Sequence, residues 1–180
     1  MKYLIASDVH GSRYFTEKLL AAFEREGADL LILLGDIYYH GPRNPLPEGY
    51  DPKGVAELLN GMADKLVVLK GNCDSEVDTL VSDFDFAENM ALGVGKSCVF
   101  LTHGHKYNKD CPPKTKFDAV IYGHFHTVFI EKTGNIAYAN TGSVSLPKNG
   151  TPASYLTLED NGALALKTLA GETISFLRLD

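Results

Sequence analysis

Gly123-His124-Phe125-His126 puts two imidazoles two residues apart, directly after the apolar run 119–122. Asp8-Val9-His10 follows the apolar run 3–6 in the same way. Gly35-Asp36 follows 30–34, Gly71-Asn72 follows 66–70, and His103-Gly104 follows 99–102. Five times a predicted strand stops and presents a carboxylate, an imidazole or an amide. These are the oxygen and nitrogen donors of a mixed metal site, suited to Mn, Fe, Zn or Ni and less well to Ca or Mg. Where helical crossovers join the strands of a sheet, ligands gather beyond the carboxyl ends of the strands. Asp8, His10, Asp36, Asn72, His103, His124 and His126 are therefore read as one site. An aspartate at a strand end is ordinarily a turn or cap residue, and a single histidine is more often structural. That plainer reading would have to hold independently at all five strand ends.

The elements that must position these residues are legible in the hydrophobic pattern. Strands are expected at 3–7, 29–34 and 65–70; the second is continuously apolar, as in a strand buried on both faces. A helix is expected over 13–26, with Phe15, Leu19, Leu20 and Phe23 on one face and Gly27 placed to end it. A second is expected over 53–64, with Val55, Leu58, Leu59 and Met62 on one face, and a short one over 75–82. From about residue 87 the pattern changes to short strands: 87–93, 97–102, 118–122, 126–131, 136–140, 153–159, 163–169 and 173–179. Asn161-Gly162 is a hairpin turn between two of them. The first half reads as βαβ-like and the second as strand-rich. Two sheets packed together with helices outside satisfy that pattern, an α/β protein in one domain spanning 1–180. Between strand and helix lies the loop 38–52, with four prolines and two glycines. Long ordered loops often carry function.

The order Asp-x-His, Gly-Asp, Gly-Asn, His, Gly-His-x-His resembles the calcineurin-like metallophosphoesterases, with every ligand position filled between residues 8 and 126. Within that superfamily the chain is similar to the small YfcE-type phosphodiesterases and the related retromer-subunit branch. Supporting stretches are 40–50, 71–78, 101–105 and 140–147. The resemblance implies a four-layer αββα sandwich of two mixed β-sheets flanked by helices. It also implies two divalent transition metal ions per chain, with Mn expected and Ni, Co, Zn and Fe as alternatives. Asp8, His10, Asp36 and His126 would hold the first ion, and Asp36, Asn72, His103 and His124 the second. His10, Asp36, Asn72 and His103 count as catalytic as well. Two such metals share a bridging hydroxide and clamp a phosphoryl group for in-line attack. The implied activity is hydrolysis of a phosphodiester. A phosphomonoesterase or nucleotidase is the alternative, as is a non-catalytic scaffold whose metal pocket binds protein partners.

Several residues stay open. Cys73 stands where many members of the superfamily have histidine; it is either a small buried thiol or a substrate contact. A thiol is a weak donor when neutral and repels phosphate when ionised, so a monoanionic diester suits this site better than a dianionic monoester. His40 and Arg43, in the 38–52 loop, either contact the phosphate or belong to a solvated loop. His105 is near the site in sequence, but His103 is the better ligand. Asp74 either orients the Asn72 amide or caps the short helix. Asn140-Thr141-Gly142 replaces the more usual Asn-Pro-Gly, a change of loop rigidity.

Composition narrows the rest. The 180 residues are 44% hydrophobic and carry a net charge of −6 with no basic run. A broad nucleic-acid surface is not expected. Two divalent cations beside Asp8 and Asp36 would nonetheless leave the centre itself positive and attractive to a phosphate. No apolar run approaches the length of a membrane span, and the short run before Asp8 is not expected to be a signal peptide. Three cysteines without paired spacing argue against a disulfide framework and suit a reducing cytoplasm. The partner expected is a small phosphodiester, and a homo-oligomer is left open.

Overall fold

The computed structural model describes residues 1–179. Two sheets share the core. In the first, β1 (Lys2–Ala6), β2 (Leu30–Leu33), β3 (Leu66–Leu69) and β4 (Phe86–Ala87) are parallel. Beyond β1 this sheet continues antiparallel through β10 (Ser154–Glu159), β11 (Ala163–Thr168) and β12 (Thr173–Arg178). The second sheet has the order β5-β6-β7-β9-β8. It is built from β5 (Met90–Val94), β6 (Ser97–Leu101), β7 (Ala119–Tyr122), β8 (Val128–Thr133) and β9 (Ile136–Thr141). There β6, β7 and β9 are parallel and the two edges antiparallel. Both sheets are mixed, as expected.

Period-two alternation sorts the side chains. Tyr3 and Ile5 of β1, with Ile32 of β2 and Leu34 just beyond it, pack against Val99, Leu101, Ala119 and Ile121 of the second sheet. Leu4, Ala6, Leu31 and Leu33 face the other way, onto α1 (Arg13–Glu26) and α2 (Pro52–Asn60). The central strands are thus covered on both faces, which is why their sequence is continuously apolar. The Ser12 hydroxyl caps α1 by accepting the Phe15 N–H at 3.2 Å, and Gly27 closes it at φ 57°. Asp51 caps α2 through the Gly54 N–H at 3.0 Å, with Pro52 in the first turn.

Both helices lie on the outer face of the first sheet. The outer face of the second carries Phe100, Val120, Tyr122, Phe129 and Tyr138, with no helix of the described residues over it. Part of that cover comes from the segment 104–117: Phe117 stacks on Phe100 at 4.8 Å between centroids, and Tyr107 meets it edge-on at 5.7 Å.

Some boundaries differ from expectation. The helix expected over 53–64 stops at Asn60, and Ala63–Lys65 is a separate 3₁₀ turn. Gly61, a poor helix residue, stands at the break. The segment 75–82 forms the 3₁₀ helix Glu76–Leu80. The strand expected over 87–93 is two strands in different sheets, β4 and β5. Strand β8 starts at Val128 because His126 has φ 60°, which no extended strand tolerates. No helix among the described residues is long and apolar enough to cross a membrane.

Candidate metal centre

The carboxyl ends of β1, β2 and β3 and those of β6 and β7 open toward one place. The loop after β1 is locked to the loop after β2 by backbone bonds from Asp8 N to Gly35 O (3.1 Å) and from His10 N to Asp36 O (2.9 Å). Across the sheets, the His124 N–H donates to Asp8 Oδ2 at 2.8 Å. The Asn72 and His103 side chains meet at 3.0 Å. All seven expected ligands are brought together. Asp8, His10, Asp36, His103 and His126 are buried, His124 is half-buried and Asn72 is exposed.

The backbone at these positions is strained. Asp8, His10, Asp36, His124 and His126 have φ between 50° and 65°, and the only other described non-glycine residue in this region is Asn149. Each costs roughly 1–3 kcal/mol and persists only where the surroundings hold it. The left-handed turn reverses the chain at the strand end and aims the side chain inward. Close approach also fixes Gly71: a Cβ there would overlap the Asp36 carboxylate.

Proton bookkeeping exposes what the centre wants. His10 Nδ1 lies 2.8 Å from Tyr39 O, His103 Nδ1 2.7 Å from Leu34 O, and His126 Nδ1 2.7 Å from Leu146 O. A carbonyl only accepts, so each Nδ1 donates its proton there and each ring turns its Nε2 inward. His10 Nε2 and His126 Nε2 are 3.2 Å apart. Asp8 Oδ1, buried and without a hydrogen-bond partner, is 3.2 Å from His126 Nε2 and 3.6 Å from His10 Nε2. Three ligand-type atoms thus converge, a geometry that fits a cation. A second convergence joins His103 Nε2 to Asn72 Oδ1 at 3.0 Å, His124 Nδ1 at 3.2 Å and Asp36 Oδ1 at 3.5 Å. Asp36 faces both: its Oδ2 is 3.7 Å from His10 Nε2. Ligand atoms of Asp8, His10 and His126 lie within 4.8 Å of one another, as do those of Asp8, Asp36 and His103.

The electrostatics agree. Burial opposes charge on Asp8, but the neighbouring imidazoles of His10 and His126, with that of His103, outweigh it and hold its carboxyl well below the usual carboxylate range. Burial likewise opposes charge on His10, yet Asp8 and the Tyr39 carbonyl raise its pKa. Positive charge is drawn to this pocket. Burial and the neighbouring His103 push His124 down to about 4, leaving its ring neutral and able to ligate.

Of the residues left open, Cys73 and Arg43 line the cavity over the centre; His40 and His105 do not. His40 lies edge-on to Tyr39 and Tyr50, at 4.8 and 5.4 Å between centroids. His105 is exposed, its ring 5.4 Å from that of His103. Burial, followed by the charge of Asp36, pushes the Cys73 thiol up to about 12, so it stays neutral.

Asp74 neither orients Asn72 nor caps the following turn. It accepts the N–H groups of Asp36 (2.8 Å), Ile37 (2.8 Å) and Gly71 (2.7 Å), pinning the β2 and β3 loops together. Ser75, with Asp78, caps the turn instead. Ser143 and Asn140 were not foreseen as site supports. Ser143 Oγ donates to Asp8 O at 2.7 Å, and Asn140 Nδ2 to Gly123 O at 2.7 Å. The 140–147 stretch therefore braces the ligand loops from behind.

Comparison with known proteins follows the same lines. Residues 1–162 match the family model described as the calcineurin-like phosphoesterase superfamily domain. The chain is 46% identical over 176 residues to "Phosphodiesterase YfcE" of Escherichia coli K12, covering 97% of this chain and 95% of that protein. The solved structure of the E. coli phosphoesterase Yfce superposes with TM-score 0.95 at 42% identity, covering 100% of both chains. Zinc-bound Vps29 from Entamoeba histolytica shares the fold at TM-score 0.67 and 18% identity, again covering 100% of both chains. With the ligand-bearing loops, the two mixed sheets and a full-length relative in accord, the chain belongs to the calcineurin-like phosphoesterase superfamily.

Proposed function

We propose that the protein is a phosphodiesterase working at a centre of two divalent transition metal ions, most effectively Mn. The observation that carries this is the inward-turned pair His10 Nε2 and His126 Nε2, 3.2 Å apart beside the unpartnered Asp8 Oδ1. Asp8, His10, Asp36 and His126 would hold one ion; Asp36, Asn72, His103 and His124 would hold the other. Such ions supply an acidified water as nucleophile and positive charge for the phosphoryl oxygens. The chain's own residues do the positioning. Asp36 turns one oxygen toward His10 and the other toward His103, and so would serve both ions. The His124 N–H fixes Asp8 Oδ2 so that Oδ1 stays free. Carbonyls of Tyr39, Leu34 and Leu146 lock three imidazoles in the ligating tautomer.

The diester preference is supported by Cys73 and by the name of the E. coli relative. A neutral thiol at the cavity wall adds no cation to balance a monoester dianion and no effective acid for a poor leaving group. Arg43, on the same wall, is the substrate contact favoured here. Residues 1–180 act as one domain. The free thiols of Cys73, Cys98 and Cys111 suit the cytoplasm, where we place the protein.

The test is to strip the protein of metal and titrate Mn while following hydrolysis of bis(p-nitrophenyl) phosphate. Two ions per chain should bind and turnover should rise with occupancy. Less than one ion per chain with no turnover would overturn the proposal.

A further inference from the structure

Beyond the reacting phosphate, the cavity has more room and more charge than a simple diester uses. Its volume is about 810 Å³, toward the upper end of small-molecule sites, roughly 300–1,000 Å³. Arg43 and Lys148 both line it. Among the described residues neither side chain has an ion-pair or hydrogen-bond partner, although the chain as a whole is acidic. Two divalent ions beside Asp8 and Asp36 already balance the single charge of a diester. The two side-chain cations are in excess of that need.

The same cavity carries two exposed rings. Tyr39 is 43% exposed and Phe125 is 44% exposed. Both are fixed relative to the metal ligands. The Tyr39 carbonyl accepts the His10 Nδ1 proton at 2.8 Å. Phe125 sits between His124 and His126 in sequence, with its ring edge-on to His124 at 5.1 Å between centroids. A single exposed ring needs no explanation. Two exposed rings on the walls of one cavity, the Phe125 ring against His124 and the Tyr39 ring on a backbone tied to His10, form stacking surfaces, and nucleobases stack on such rings whatever their sequence.

Resting on the phosphodiesterase reading, we propose that this site selects a nucleotide diester carrying a second phosphate. Tyr39 and Phe125 flank the base, and Arg43 and Lys148 hold the phosphate that does not react. Water attacks the diester phosphorus, the bond to the leaving oxygen breaks, and that oxygen departs with the electron pair; of the two protons of the water, one ends on the leaving oxygen and the other goes to solvent. The remaining product is a nucleoside bisphosphate.

Three esters with one leaving group test this in the Mn-loaded protein. They are methyl p-nitrophenyl phosphate, the p-nitrophenyl ester of thymidine 5′-phosphate, and that thymidine ester bearing a 3′-phosphate. kcat/KM should rise at each step, by about tenfold for the base and about tenfold again for the second phosphate. Phe125→Ala and Tyr39→Ala should shrink the thymidine-to-methyl ratio. Arg43→Ala and Lys148→Ala should shrink the ratio between the two thymidine esters. Calorimetry gives an independent reading: thymidine 3′,5′-bisphosphate should bind more tightly than thymidine 5′-phosphate, and Lys148→Ala should narrow that gap. Equal kcat/KM for all three esters would overturn the inference, as would equal affinities for the two nucleotides. Failure to hydrolyse any of the three would instead count against the phosphodiesterase reading, and the calorimetric comparison would then decide the inference alone.

Discussion

Asp36 occupies the most demanding position in the centre. Its two oxygens face different imidazoles, His10 and His103, and its backbone N–H is held by Asp74. Asp36→Asn should weaken both ions together, whereas Asp8 or His103 substitutions should spare partial occupancy of the other ion. Titration calorimetry showing two normal sites in Asp36→Asn would refute the bridging role. Cys73→His adds a cation and a better acid at the cavity wall. It should raise kcat/KM for p-nitrophenyl phosphate relative to bis(p-nitrophenyl) phosphate, with Cys73→Ser as control. General acid help is worth roughly 10²–10⁴-fold in evolved sites, and this variant should reach less. An unchanged ratio in the fully metallated histidine variant would remove Cys73 from the explanation of substrate class. The ligands were legible in the sequence because their chemistry is unusual at five strand ends at once. Asp74, Asn140 and Ser143 were not, because their partners are backbone groups. A buried acceptor for an N–H or a donor to a carbonyl leaves no mark in residue spacing.

At the scale of elements, α1 is fastened at its far end by one carboxylate. Glu26 accepts from Lys2 (2.7 Å), Lys167 (2.8 Å) and Tyr155 (2.8 Å), joining the helix to β1, β10 and β11. Burial opposes its charge, but Lys167, then Lys2 and Tyr155, bring its pKa from 4.5 to about 2. A depressed carboxylate pKa stabilises the fold above the unfolded value and loses that contribution as pH falls through the folded value. Melting temperature should therefore drop between about pH 4.5 and pH 2. Glu26→Gln should melt lower at pH 7 and show a shallower acid loss. Parallel acid profiles for the two proteins would contradict this. Gly71→Ala tests another element: the β3 loop must move away from Asp36, so thermal stability and metal affinity should fall together. Strands and helices were readable from periodicity, yet their ends were less so. The 53–64 helix broke beside Gly61, and β8 started late because a ligand took the left-handed turn first. Side-chain period identifies a face; backbone strain decides where the element stops.

In the whole molecule, neither sheet holds a complete set of the proposed ligands. Asp8, His10, Asp36 and Asn72 follow strands of the first sheet; His103, His124 and His126 follow strands of the second. The two-sheet architecture was readable from the change of pattern near residue 87, whereas which strands pair across the chain, such as β1 with β10, depends on contacts no local window contains. Ligand binding to the folded state alone stabilises by about 2.7 kcal/mol at a concentration one hundred times Kd. Chelating the metals should accordingly lower the melting temperature by several degrees, and readdition of Mn should restore it. A melting temperature indifferent to chelator would mean that the centre contributes nothing to stability. The division of ligands also bears on how the protein comes apart. Ions that take donors from both sheets are rivets across a seam, and a seam opens only after its rivets are released. Metal should slow global unfolding far more than it changes folding, so the loaded protein should outlast the stripped one under protease even at temperatures where both are almost wholly native.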